Sequence, residues 1–307
     1  MNYNTIGISL NKRCTAQCKI CCVSARKYET NELSVELIER YLQDLKNIDV
    51  IKMVCFSGGE VFLDYPKLLR LVKYVHGCLK QTSLVTNCFW ANTYTFTFNR
   101  LKELADNGLD ELTISYDRFH GEFIKLSNIK NVLKACHKLC MPVTIQSVMM
   151  MHSKNAEWIN DLTSYLQDVS IQYVPAYPVG EAEKHFAHEC FIRDVGKRGR
   201  FCRKNGAFSV ENDGTIYPCC SPYIVKTDLK IGSIEDMTLG DTYRKLERNM
   251  ILYVLRNYGF DFFISAAEDL GIKIPDKLIS SCELCAILFN KNHVRRFIPY
   301  VKRFCEQ

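Results

Sequence analysis

The chain has 307 residues, 47% of them apolar, a formal net charge of +6 and sixteen cysteines. That length supports one large domain, or a large one with a small companion, while the lack of any bilayer-spanning apolar run and of a basic-then-apolar N-terminus (MNYNTIGISLNKRC) argues against membrane insertion and export. So many thiols without an export signal point to a reducing, cytoplasmic setting and to metal ligation more than disulfides, and so small a net charge does not call for a nucleic acid partner.

Six short apolar runs follow one another: IGISL (6–10), VIKMVCF (50–56), SLVT (83–86), ELTISY (111–116), VTIQSVMM (143–150) and VSIQYV (169–174). They are continuous rather than alternating, as strands buried on both faces should be. Helical spacing fills the gaps: Leu37, Ile38, Tyr41, Leu42 and Leu45 behind a Ser34 N-cap; Leu68, Leu69, Val72 and Val75 after Asp64; Leu101, Leu104 and Ala105 before Gly108; Val132, Leu133, Cys136 and Cys140; and Ile159, Leu162 and Leu166. Six strand–helix units in a row predict a parallel α/β sheet, closed or partly closed, over residues 1–180. Such barrels carry their chemistry at the C-terminal ends of the strands.

Cys14, Cys18 and Cys21 stand as C-x3-C-x2-C in the loop after the first run. Three thiolates can hold three irons of a cubic iron–sulfur cluster and leave the fourth open to a small molecule; zinc, which prefers four protein ligands, and inert buried thiols are the alternatives. The second run ends in Ser57-Gly58-Gly59-Glu60. Its glycines let a ligand approach the backbone and its carboxylate can accept hydrogen bonds from an ammonium group; an ordinary turn is the plainer reading. Asn87 ends the third strand, Ser115 ends the fourth, and Gln146 and Ser147 lie in the fifth. Each is a candidate for the mouth of the barrel, with a loop or hydrogen-bonded core role as the alternative.

Near Glu181 the character changes. Residues 181–200 are charged and lack apolar periodicity, which predicts a linker, and 201–307 are expected to form a smaller second domain. AFSV (207–210) and TIYP (215–218) flank ENDG, a hairpin signal in which Gly214 can take positive φ. A helical stretch over 238–256 and a final basic helix follow. Cys202 and Cys219 bracket the hairpin, and Cys282-x2-Cys285 comes from far along the chain; four cysteines fit zinc or an iron–sulfur cluster. Cys220 directly follows Cys219, and adjacent side chains on an extended segment point opposite ways. Cys55, Cys78, Cys136 and Cys140 lie on apolar faces and read as core residues.

CTAQCKIC, the SGGE one βα unit later and the order Cys202…DGTIYPC…Cys282-x2-Cys285 together resemble the radical SAM superfamily, in its subgroup with a SPASM extension or the shortened twitch form. The resemblance implies a partial (β/α)6 barrel followed by a twitch domain. It implies S-adenosylmethionine as cofactor, chelated by the open iron of a 4Fe-4S cluster on Cys14, Cys18 and Cys21. Cys202, Cys219, Cys282 and Cys285 would hold an auxiliary 4Fe-4S cluster. Ser57, Gly58, Gly59 and Glu60 would clamp the amino group of the methionyl part, with Asn87, Ser115 and Gln146 near its carboxylate or the ribose. Ile20 stands near the adenine, where most members carry an aromatic residue. The partners implied are a precursor peptide and an electron donor such as flavodoxin or ferredoxin.

In the related sulfatase maturases an aspartate that takes a proton follows the hairpin cysteine; here it is Cys220. A thiol can donate a hydrogen atom to a carbon radical, because its S–H bond is weaker than the C–H bond formed, and radical SAM peptide epimerases use such a cysteine. The reading is therefore L-to-D epimerisation of a ribosomally made peptide, with Cys220 returning the hydrogen. Cys220 as cluster ligand or as a small packed residue, a peptide-crosslinking enzyme (thioether or carbon–carbon), and a non-catalytic iron–sulfur or zinc protein are the alternatives.

Overall fold

The computed structural model describes residues 3–151, 157–202 and 206–306. Strands β1 (Thr5–Ser9), β2 (Met53–Ser57), β3 (Gln81–Thr86), β4 (Glu111–Ser115), β5 (Val143–Met149) and β6 (Val169–Pro175) coincide with the six apolar runs. They pair in chain order and all in parallel, without β6 returning to β1, so the wall is an open barrel. The crossovers are built on α1 (Val35–Tyr41), α2 (Tyr65–Gly77), α3 (Tyr94–Asp106), the short α4 (Arg118–Gly121) and α5 (Leu126–Lys138). Ser34 and Asp64 cap α1 and α2 by accepting from the Leu37 and Lys67 N–H groups, satisfying donors a helix start leaves free. The predicted fifth helix is reduced to Glu157–Asn160 and a 3-10 turn at Thr163–Tyr165, with Leu162 fully buried between them.

Burial along β2, β4 and β5 alternates, which corrects the expectation of strands buried on both faces there, while in β3 Thr82, Ser83 and Leu84 are buried in a row. Ile6, Ile8, Val54, Phe56, Leu112 and Ile114 are fully buried, whereas Gly7, Cys55, Thr113 and Ser115 between them are partly open. An open wall leaves its inner face lining a cleft instead of packing against another layer. Two of the four core thiols change place accordingly. Cys136 is fully buried, but Cys55 lies half-buried on the inner face, and Cys140 is exposed with φ 52° just past α5.

The sheet continues beyond β1. Ala207–Val210 pairs parallel to β1, with Phe208 opposite Ile6, and Thr215–Tyr217 and Gly232–Ser233 add antiparallel strands, giving nine in all. The predicted hairpin therefore forms, with Gly214 at φ 80°, but as an extension of the barrel sheet. The stretch 181–200 contains a short helix, Glu181–His185, and a strand, Val195–Gly196, paired with Lys277–Leu278. The expected helix over 238–256 is two, Leu239–Glu247 and Met250–Asn257, because the Asn249 side chain accepts from the Leu252 N–H and restarts the helix. Helices Asp261–Asp269, Ser281–Leu288 and Ile298–Cys305 complete the C-terminal part. Among the described residues no helix is long and apolar enough to cross a membrane.

Candidate active site

The loop carrying Cys14, Cys18 and Cys21 leaves the C-terminal end of β1 and is gripped from two sides. On one, the Gly59 and Glu60 N–H groups donate to the carbonyls of Asn11 and Arg13, each at 2.8 Å. A Cβ on Gly58 would stand 2.6 Å from the Asn11 oxygen, and one on Gly59 would strike Arg13. The approach the glycines permit is thus made by the chain's own cluster loop, where a ligand was expected. On the other side the Glu181 N–H donates to the Cys21 carbonyl at 2.8 Å, and Gly180, at φ 63°, leaves the Cys22 carbonyl room that a Cβ would take.

Within this loop Cys14 and Cys18 are buried, at 7% and 6% exposure. Burial pushes the Cys14 thiol up to about 12 and the Cys18 thiol higher still, and neighbouring cysteines add to both. Among the described residues no three His, Cys, Asp or Glu side chains form a group that could hold a single ion. A cube would give each thiol its own iron, whereas zinc would draw its sulfurs to about 2.3 Å of one centre. Iron also reverses the thiols' preference for the protonated form, since a bound cation stabilises thiolate.

Glu60 is 1% exposed. Its Oε1 accepts from the Phe62 N–H at 3.1 Å and the Thr86 hydroxyl at 2.8 Å, and its Oε2 from the Asn87 N–H at 2.8 Å. Three of about four lone-pair positions are filled, which leaves room for one more donor. Burial lifts the carboxyl to about 7 against the pull of these bonds, so an arriving ammonium would find an acid that gains by ionising. The residues present fit an amino-bearing ligand here. Asn87 turns elsewhere than expected: its Nδ2 donates to Cys14 Sγ at 3.3 Å.

At the C-terminal end, Cys202, Cys219, Cys282 and Cys285 line one cavity of about 180 Å³, together with Tyr177, Tyr223 and Phe260. Burial, and then the neighbouring Cys219, Cys202 and Cys282, push the Cys285 thiol far up, so the four cysteines lie close together. Four thiols around one cavity could hold a cluster or a zinc ion. Cys220 leaves this cavity: its Cβ packs over β1, 3.8 Å from where a Cβ on Gly7 would stand, on the inner face of the wall.

Ser115 and Gln146 are opposite each other in the β4–β5 register on the inner face, and Gln146 Nε2 donates to Gln172 at 3.4 Å. Ser147, one residue on, is fully buried on the other face, which corrects the expectation that it shares the cavity. Ile20 is buried in the cluster loop, and Ser57 lies beside Ser9 with its carbonyl accepting from Leu10 N–H. Sequence reasoning passed over Asp117 and His120. Asp117 is fully buried, accepts from the Phe119, His120 and Val148 N–H groups, and lies 2.9 Å from His120 Nδ1. Burial pushes its carboxyl up, but His120 and these donors outweigh that and hold it below the usual range. The only signal was its place after Ser115, at a strand end.

The profile of the Radical SAM superfamily matches residues 8–166, just over half the chain, and that of SPASM, an iron–sulfur cluster-binding domain, matches 202–286. YydG of Bacillus subtilis (strain 168), a protein named for peptide biosynthesis, is 28% identical over 311 residues, 98% of each chain. BtrN, solved in complex with AdoMet and 2-DOIA, superposes with a TM-score of 0.53 at 14% identity, covering 83% of this chain and 87% of its own. Native anSMEcpe, solved with AdoMet and the Cp18Cys peptide, gives a TM-score of 0.53 at 18% identity over 84% and 83%. At such identities the two structures speak to the fold alone.

Proposed function

The chain belongs to the radical SAM superfamily, and on that premise we propose that it inverts an L-residue of a ribosomally made peptide to the D-form. Family membership brings S-adenosylmethionine and a 4Fe-4S cluster to the barrel and an auxiliary iron–sulfur cluster to the SPASM domain; it sets aside the non-catalytic reading. When bound, they supply on reductive cleavage a 5′-deoxyadenosyl radical that takes hydrogen from carbon. In this reading Cys14, Cys18 and Cys21 hold the first cluster, and Cys202, Cys219, Cys282 and Cys285 the second. Glu60 accepts from the cofactor's ammonium, with Ser57, Gly58 and Gly59 shaping the clamp and Ile20 packing nearby. Asn87 steadies Cys14, and Ser115 and Gln146 line the inner wall that receives the substrate. Residues 1–180 serve as the barrel, 181–200 as the connection and 201–307 as the cluster-bearing module. The partners are a precursor peptide and an external one-electron donor, in a cytoplasmic setting.

One observation carries the choice of epimerisation. Cys219 and Cys220 adjoin in sequence, yet one thiol lines the four-cysteine cavity and the other lies over Gly7 on the inner wall. A free thiol there can hand its hydrogen to a planar α-carbon from the face opposite to abstraction. The peptide assignment is supported by the relative named for peptide biosynthesis.

The test uses the anaerobic holoenzyme, S-adenosylmethionine, a one-electron reductant and a synthetic peptide translated from a short reading frame beside the gene, in D2O. Epimerisation adds one deuterium at one α-carbon and yields a D-residue on hydrolysis; Cys220→Ala abolishes both. A product two hydrogens lighter, with no D-residue, overturns this in favour of a thioether or carbon–carbon crosslink.

A further inference from the structure

The inner wall holds a second thiol that the mechanism above leaves unused. In the β1–β2 register Gly7 is opposite Cys55, and in the β2–β3 register Cys55 is opposite Ser83, so the three form one row across the wall. Strands in a sheet stand about 4.8 Å apart. Gly7 contributes no side chain to this row, and Cys220 fills the gap with its Cβ 3.8 Å from the missing position. The two thiols are thereby neighbours within the cleft, one from the wall and one from the C-terminal module. Burial first, and Cys220 among the nearby charges, push Cys55 up to about 11, although a bond from Ser83 pulls the other way. Cys55 therefore keeps its hydrogen at neutral pH.

We propose that Cys55 is a second catalytic thiol, which restores the hydrogen that Cys220 gives away in each turnover. This rests on the hydrogen-return reading of Cys220. Once Cys220 has given its hydrogen to the α-carbon, its sulfur is left with one unpaired electron. A hydrogen atom then moves from Cys55 Sγ to Cys220 Sγ: one S–H bond breaks, an equivalent one forms, and the unpaired electron passes to Cys55. One electron from the external one-electron reductant that each turnover already requires, and one proton from water, regenerate the Cys55 thiol. The peptide gains and loses one hydrogen, and the enzyme returns to its starting state.

The decisive experiment compares first-turnover yield with total turnovers in the Cys55→Ser holoenzyme, on the peptide used above. The expected result is a first turnover like that of the wild type and at least a 10-fold fall in total turnovers. Unchanged total turnovers overturn the relay. Cys220→Ala is expected to lose the first turnover itself; if it keeps it, the hydrogen-return reading fails, and the relay with it. Proximity is checked without substrate and without substitution, by anaerobic diamide treatment of wild-type holoenzyme and peptide mapping. A Cys55–Cys220 disulfide, two hydrogens lighter, is expected, and a map in which both thiols remain open to alkylation overturns the proposal.

Discussion

Asn87 reaches across from the end of β3 and donates its side-chain N–H to the sulfur of Cys14 at 3.3 Å. The same residue's backbone N–H donates to Glu60 at 2.8 Å, so one residue ties the cluster loop to the buried carboxylate. Donors aimed at a cluster sulfur stabilise its more negative, reduced state and so raise its potential.

Asn87→Ala is expected to keep the iron content and lower the potential of the first cluster. With peptide-free holoenzyme and dithionite, S-adenosylmethionine cleavage should slow by roughly 10-fold, the effect of losing about 1.4 kcal/mol from one hydrogen bond to a charged group. Redox titration followed by electron paramagnetic resonance reads the shift directly; an unmoved potential shows that the bond is only structural.

Gly59→Ala forces a methyl group into Arg13, and Gly58→Ala one into Asn11. Each should cost about 1–3 kcal/mol through displacement of the cluster loop, as overpacking does. Iron bound at the N-terminal site should fall while the C-terminal site stays loaded. Iron assays on each variant, with and without the C-terminal ligands, separate the two.

Cys282→Ser combined with Cys285→Ser removes two of the four sulfurs around the C-terminal cavity. Iron per chain should drop from about eight to about four. Binding of S-adenosylmethionine, followed by its effect on the spectrum of the remaining cluster, should persist.

Glu60 gives the cluster-free protein a pH dependence. Its folded value of about 7 lies above the ordinary glutamate value of 4.5, so the folded chain binds more protons than the unfolded chain between those limits. The stability this acid contributes is complete below about 4.5 and is lost as pH rises through about 7, by on the order of 3 kcal/mol at most. Urea midpoints of wild type minus Glu60→Gln, taken across that window, should converge toward acid and diverge toward neutrality. A flat difference means that the carboxylate is not buried as described.

The barrel was readable because its signals are local, continuous runs and caps such as Ser34, and Cys14, Cys18 and Cys21 stand a few residues apart, whereas Cys202, Cys219 and the distant Cys282-x2-Cys285 pair are brought to one cavity only by the fold. What escaped depends on pairing between distant strands. That Cys55 belongs to the cleft follows from its register with Gly7 and Ser83, and that Ala207–Val210 joins β1 follows from a parallel pairing some two hundred positions apart. Strand parity alone, though, could have parted Gln146 from Ser147. The tie from Asn87 to Cys14 had no counterpart in spacing, since three separate strand ends had to be brought together first.

The pairing of Ala207–Val210 with β1 has a consequence for any attempt to dissect the molecule. Cut away the C-terminal third and β1 becomes a bare border, its amides and carbonyls pointing at whatever comes next. Such a fragment would seek another copy of itself, so the isolated N-terminal portion is expected to clump, and the add-on doubles as its selvedge.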